Sequence, residues 1–185
     1  MSLVLDCSAT LAWIYPDKDD EQWIYFPETE RVRRLNVNLS KQSFGESDFS
    51  YEDSKLFNDL GRDWTKVGSA GLSKENELVD GVRCTVVDFI PKSEDIPYGL
   101  LRMWLNRADW TLHKMELYDR DRSTLVKTLN VSDFATIDKV PTARHLKLST
   151  VKAGTSTTLE LQETHFNQGL SDELFTQHAL EKGPS

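Results

Sequence analysis

The sequence predicts a mainly β domain of the α+β kind, a curled antiparallel sheet with one or two short helices over its concave face. Three observations carry this. Apolar and polar residues alternate at the period of a strand over most of the chain from Leu100 to Phe166. The alternating runs are short and joined by tight polar turns, which makes neighbouring strands antiparallel. One stretch, Phe44 to Leu60, breaks the alternation and carries the marks of a helix start.

Taken in order, Val4 to Tyr15 reads as a strand ended by Pro16. Asp17 to Asp20 turns into a second strand, Gln22 to Phe26, ended by Pro27. Glu28 to Glu30 turns into a third, Arg31 to Val37. A polar stretch, Asn38 to Ser43, leads to the helix. Ser50, with Asp53 three residues later, has the form of a capping box, and Glu52 and Asp53 set negative charge at the positive end of the dipole. Leu56, Phe57 and Leu60 share one face, and Gly61 is the expected stop.

Trp64 to Gly71 reads as strand or loop and Ser73 to Asp80 as a polar turn. Val82 to Ile90 is apolar on both parities, as in a strand covered on both faces, with the helix over one of them. Five strands follow: Leu100–Asn106, Thr111–Tyr118, Leu125–Val131, Ala143–Val151 and Ser156–Phe166. Their leucines and methionines fall on one parity, so one face is buried and the other wet. Ser171 to Leu180 reads as a short helical turn whose Leu174, Phe175 and Leu180 dock the tail. About nine antiparallel strands in one sheet tend to curl, and with a single clear helix to cover the apolar face a cavity is expected.

At 185 residues the chain fits one domain with a full core. Its net charge of −8 argues against nucleic acid and against a polybasic membrane role. No apolar run approaches the ~18 residues of a membrane-spanning helix. Two cysteines, Cys7 and Cys84, make no disulfide framework. Cys7 lacks the small preceding residues of a lipoprotein site, and no signal peptide precedes it.

Candidate chemistry is sparse. Glu46, Asp48, Glu52 and Asp53 could be pictured round a hard metal ion, but capping and loop hydrogen bonds explain them better. His113, His145, His165 and His178 have no metal-binding spacing, although His145 and His165 fall on strands that could be neighbours. Cys84 lacks an adjacent base and reads as a core residue. There is no nucleophile elbow or phosphate loop, so neither an enzyme nor a cofactor is expected. Arg31, Arg33 and Arg34 form the one basic cluster, either a solvated edge strand or a contact for an acidic partner or a lipid headgroup.

Gly45-Glu46-Ser47-Asp48-Phe49-Ser50-Tyr51-Glu52-Asp53 resembles the signature of the outer-membrane lipoprotein-sorting-protein-like family, related to the periplasmic carrier LolA. Arg102 to Leu105 with Trp110, Tyr118 to Asp121, Leu125 to Leu129 with Val131 to Asp133, and Leu174 to Thr176 extend the likeness in order. Glu46 and Ser47 lengthen the usual glycine–serine–aspartate spacing by one residue. The resemblance implies an unclosed half-barrel that holds acyl chains in the periplasm of a Gram-negative bacterium. It also implies that the family's N-terminal helix and first strands have no counterpart here, leaving an exposed edge through which a dimer could form.

On that likeness Trp13, Phe49, Phe57, Leu101, Met103, Leu105, Met115, Leu117, Leu146 and Leu148 are the expected apolar lining. The expected function is a non-catalytic carrier for lipoprotein or lipid acyl chains. The alternative is an envelope interaction module, for example accessory to an inner-membrane transporter, meeting its partner through the edge or through Arg31, Arg33 and Arg34.

Overall fold

The structure is a computed structural model. It describes residues 9–13, 15, 21–27, 29–34, 43, 47–92 and 96–182. Cys7, Phe44 to Glu46 and the turn at Asp17 to Asp20 lie outside the described residues. The chain divides into two compact units, Met1–Gly45 with Asn167–Ser185, and Glu46–Phe166.

The first unit holds a three-stranded antiparallel sheet in the order β1 (Ala9–Trp13), β2 (Glu21–Phe26), β3 (Arg31–Arg34). It also contains a 3-10 turn, Asp172–Phe175, and a short helix, α2 (Gln177–Glu181). Leu11, Trp23 and Leu180 form its buried cluster, with Trp13, Tyr25 and Val32 packed on it. Of the three tail residues expected to dock, only Leu180 is buried. Leu174 and Phe175 keep about half their surface exposed, because a 3-10 turn of four residues has no inward face long enough to hide both.

The second unit is a seven-stranded antiparallel sheet with one long helix, α1 (Tyr51–Val67). The strands run β4 (Gly68–Val79), β5 (Val82–Pro91), β6 (Leu100–Asn106), β7 (Leu112–Tyr118), β8 (Leu125–Ile137), β9 (Val140–Thr150), β10 (Thr155–Glu160), each paired with the next. The two end strands, β4 and β10, are not paired to each other, so the sheet is an unclosed half-barrel, as the sequence predicts.

Two expectations fail here. The helix runs through Gly61 to Val67, seven residues beyond the predicted Leu60. The glycine that ends it is Gly68, where a Cβ would lie 2.3 Å from the Phe89 ring and 2.5 Å from the Ile90 carbonyl. That demand is tertiary, so Gly61 and Gly68 look alike locally. Secondly, the predicted turn at Ser73 to Asp80 is mostly the edge strand β4. Exposed along nearly its whole length, β4 needs no alternation, and the turn shrinks to Asp80-Gly81, both at positive φ, as a two-residue hairpin loop requires.

Facing residues of adjacent strands share a side of the sheet. Across the inner face, one row reads Phe89, Leu101, Leu117, Lys127, Thr150, Thr155. The next reads Val87, Met103, Met115, Leu129, Leu148, Thr157, and the row beyond includes Leu105, Leu112, Val131, Leu146 and Leu159. The outer face carries Asp88, Arg102 and Glu116 in line, with Lys114 over the Trp104 ring at 4.4 Å. As predicted, β5 is covered on both sides, with Cys84 and Val86 in an outer cluster and Phe89 in the main core.

Candidate functional site

The site is the inner face of the seven-stranded sheet and the helix that crosses it. At about 1.5 Å per residue, α1 is about 25 Å long. Seven strands at about 4.8 Å spacing are of similar breadth. The two ends of the helix are held on opposite sides of the sheet. At its C-terminus the Lys92 backbone N–H donates to the Val67 carbonyl (2.9 Å) and Lys92 Nζ to the Thr65 carbonyl (3.1 Å), beside β4 and β5. Between the ends, Leu56, Phe57, Leu60 and Val67 join the core of Phe89, Leu101, Met115, Leu117, Leu129 and Leu148.

The N-terminal end is tied to β8, β9 and β10 by a buried polar cluster. The predicted capping box is present, with Asp53 N–H donating to Ser50 Oγ (3.1 Å) and Ser50 N–H to Asp53 Oδ2 (2.8 Å). Asp53 has no exposed surface. Beyond capping, it accepts from Tyr98 Oη (2.6 Å) and from Lys127 Nζ on β8 (2.6 Å). Lys127 also donates to the Asp48 carbonyl (2.8 Å). The Asp48 carboxylate accepts from the hydroxyls of Thr150 on β9 and of Thr155 (2.6 Å) and Thr157 (2.9 Å) on β10.

These contacts leave their mark on acidity. Burial pushes the Asp48 carboxyl up, but the three threonine hydroxyls and the Lys127 charge outweigh it and hold the group below its ordinary value. Burial, and then the Asp53 charge, push the Tyr98 phenol far above its usual range, so it stays a donor. Asp48 and Asp53 thus fasten the helix to the sheet. Among the described residues, no group of three or more His, Cys, Asp or Glu is placed to hold a metal ion.

Of the ten expected lining residues, eight come together. Leu101, Met115, Leu117 and Leu148 are buried in the core, and Phe49, Phe57, Met103 and Leu146 pack partly buried against it. Leu105 follows on the inner face, opposite Leu112. Trp13 belongs to the other unit, where it lies edge-on to Trp23 at 4.6 Å and donates its indole N–H to the Phe175 carbonyl (2.8 Å). Arg31, Arg33 and Arg34 are exposed on β3, which ends the strand order of its sheet. Arg33 lies over the Phe26 ring (5.8 Å) and Arg34 pairs with Glu21 (3.3 Å). His145 Nδ1 lies 3.2 Å from Ser132 Oγ across the β8–β9 pair. Cys84 is fully buried, and burial followed by the Glu77 charge pushes its thiol up.

Sequence reasoning missed Tyr98, Lys127, Thr150, Thr155 and Thr157. One signal was available for Lys127. It shares the strand parity of the inward-facing Leu129 and Val131, and a charge at an inward position needs a buried partner.

Burial is graded along the inner face. Leu101, Leu117 and Leu148 are wholly buried at the helix end. In the row nearest the β4–β5, β6–β7 and β8–β9 turns, Leu105, Leu112 and Leu146 are only half-buried, although Val131 beside them is buried. Leu78 and Leu159, on the edge strands, are 65% and 46% exposed. Apart from Lys127, Thr150, Thr155 and Thr157, which fasten the helix, the inner face is therefore apolar, and it is roofed at one end only.

A family model described as "Uncharacterized protein" matches residues 8–182. The chain belongs to that family. No curated protein matches it. Among solved structures, a domain from Vibrio parahaemolyticus assigned as an outer membrane lipoprotein-sorting protein superposes with a TM-score of 0.80 at 27% identity. That match covers 94% of this chain and 71% of the other. A DUF1329 family protein from Desulfovibrio piger gives 0.85 at 27% identity, covering 97% and 73%. A LolA superfamily protein from Nitrosomonas europaea gives 0.62 at 16% identity, covering 93% and 89%, a likeness of fold. The fold is LolA-like. The LolA-like sheet and its crossing helix are therefore the frame within which the half-roofed apolar face is to be understood.

Proposed function

We propose that this chain is a non-catalytic carrier that holds the acyl chains of lipoproteins or lipids against the inner face of its half-barrel, in the periplasm of a Gram-negative bacterium. The observation that carries the reading is the apolar inner face roofed at one end only. Each methylene of an acyl chain laid on it would contribute about 0.8 kcal/mol without any hydrogen-bond requirement. The likeness to a lipoprotein-sorting domain supports the class of cargo. Release would involve displacement of α1, whose N-terminus is held by side-chain contacts while its C-terminus runs straight into β4.

Protein recovered from a membrane-containing lysate is expected to yield bound lipid on extraction and mass spectrometry. Delipidated protein that takes up neither a fluorescent fatty acid nor a diacylated peptide would contradict the reading.

A second reading rests on the exposed Arg31, Arg33 and Arg34. An envelope module would use that strand to meet an acidic partner, such as a transporter subunit. Replacing all three arginines by serine would then abolish partner capture and leave lipid uptake unchanged.

A further inference from the structure

The β6–β7 hairpin carries a feature that stability does not explain. Trp110 is 64% exposed and has φ 61°, the left-handed region, where a bulky aromatic is strained. An indole left in water returns little of what that backbone costs. The strain is nevertheless held by many bonds. Trp110 N–H donates to the Asn106 carbonyl (2.8 Å), and Asn106 N–H to the Thr111 carbonyl (2.8 Å). Asn106 Oδ1 accepts from Ala108 N–H (3.0 Å), and Asp109 Oδ1 accepts from Thr111 N–H (3.0 Å) and Thr111 Oγ1 (2.7 Å). The tip is also tied to the neighbouring hairpin, where Arg107 N–H donates to the Arg83 carbonyl (3.1 Å) and its guanidinium to Asn76 Oδ1. A strained residue that so many bonds fix in place points to function.

Two further observations say what the tip would meet. Leu78, on that neighbouring hairpin, is 65% exposed, so a second large apolar side chain stands in water at the same end of the sheet. The turns at this end carry Asp80, Arg107, Asp109, Asp138 and Lys139, three acids against two bases, with Arg83 beside them at the start of β5. A balanced charge with a protruding indole suits the headgroup layer of a bilayer, where an amphipathic ring finds both apolar and polar surroundings. It does not suit electrostatic capture of anionic lipid, which needs a basic excess.

We propose that this end of the half-barrel docks on a zwitterionic phospholipid bilayer, with Trp110 seated among the headgroups and Leu78 beside it. The inference stands on the hairpin's own geometry and goes beyond acyl-chain carriage. Docking in this orientation would turn the open end of the inner face towards the membrane.

The test is flotation of the full chain with large unilamellar phosphatidylcholine vesicles, with and without phosphatidylglycerol. Wild type is expected to float with both, with little change in added salt. Trp110→Asn, a residue that tolerates positive φ, is expected to keep or raise the melting temperature and to lower partitioning about tenfold or more. Trp110→Phe is expected to keep part of the binding. Equal partitioning of wild type and Trp110→Asn would overturn the proposal. So would binding confined to phosphatidylglycerol vesicles and removed by salt, which is adsorption by charge. Failure of the wild type to float with either vesicle, as expected if the tip meets a protein instead, would overturn it too. Uptake of a fluorescent fatty acid from solution, measured on the same variants, reports separately on carriage and is expected to be unchanged.

Discussion

At the end of the inner face crossed by α1, Leu101, Leu117 and Leu148 have no exposed surface. At the hairpin end of the same sheet Leu78 and Leu159 keep 65% and 46%. The sheet is shared, and so is the apolar character of these leucines, although the exposed pair lies on the edge strands β4 and β10. The difference lies in what crosses them. At the roofed end the helix brings its own apolar stripe and a polar fastening, and the sheet supplies Lys127, Thr150, Thr155 and Thr157 at inward positions to receive it. At the other end the face meets hairpin tips. The comparison teaches that the fastening and the opening belong to one design. A charge cluster bonded on every side can hold a cover in one place without extending it over the whole face.

The comparison breaks most readily at Lys127. Lys127→Met strands the buried Asp53 carboxylate and should cost about 3–5 kcal/mol in urea unfolding. A cost below about 1 kcal/mol would mean the cluster does not hold the helix. The double variant with Asp53→Asn should recover part of the loss, since no charge is then left unpaired.

Next come the leucines. Leu148→Ala at the roofed end should destabilise by about 2–5 kcal/mol through the cavity it leaves. Leu159→Ala, on the next strand but half-exposed, should stay within about 0.5 kcal/mol. Similar costs at the two positions would erase the distinction between the ends.

Acidity gives a smaller effect. The Asp48 carboxyl lies lower in the folded chain than in the unfolded one. Its contribution to stability is therefore fully present above about pH 5 and is lost as pH falls through the folded value. Replacing Thr155 and Thr157 by Val should flatten the acid limb of a stability–pH curve, and an unchanged limb would place the acid sensitivity elsewhere.

The smallest effect is expected on the outer face. Arg102 pairs with Asp88 through two bonds of 2.7 and 2.8 Å, but both side chains are partly solvated. Arg102→Ala should cost about 0.2–1 kcal/mol.

Much of this was legible in the sequence. Strands β6 to β9 have one wet face, so their alternation placed them and their inward residues. Ser50 and Asp53 fixed the helix start through local bonds. What depended on tertiary contact was not legible. Gly68 is set by the Phe89 ring and the Ile90 carbonyl that crowd it, contacts that nothing in the local sequence announces. Strand β4 carries no pattern because little of it is buried. Leu174 and Phe175 look like docking residues and remain half in solvent. The threonines that hold Asp48 lie 102 to 109 residues from it, and nothing local marks them as its partners. Trp110 was visible as an aromatic, but its exposure and left-handed backbone were not.

The central claim, that the half-roofed inner face holds acyl chains, is tested most directly by titrating delipidated protein into a fluorescent fatty acid, comparing wild type with Leu146→Glu. Leu146 is half-buried on the open part of that face. The account predicts saturable uptake, displaced by unlabelled fatty acid and weakened about tenfold or more by the added charge, while the melting temperature changes little. No saturable uptake by the wild type, or equal affinity in the two proteins, would contradict it.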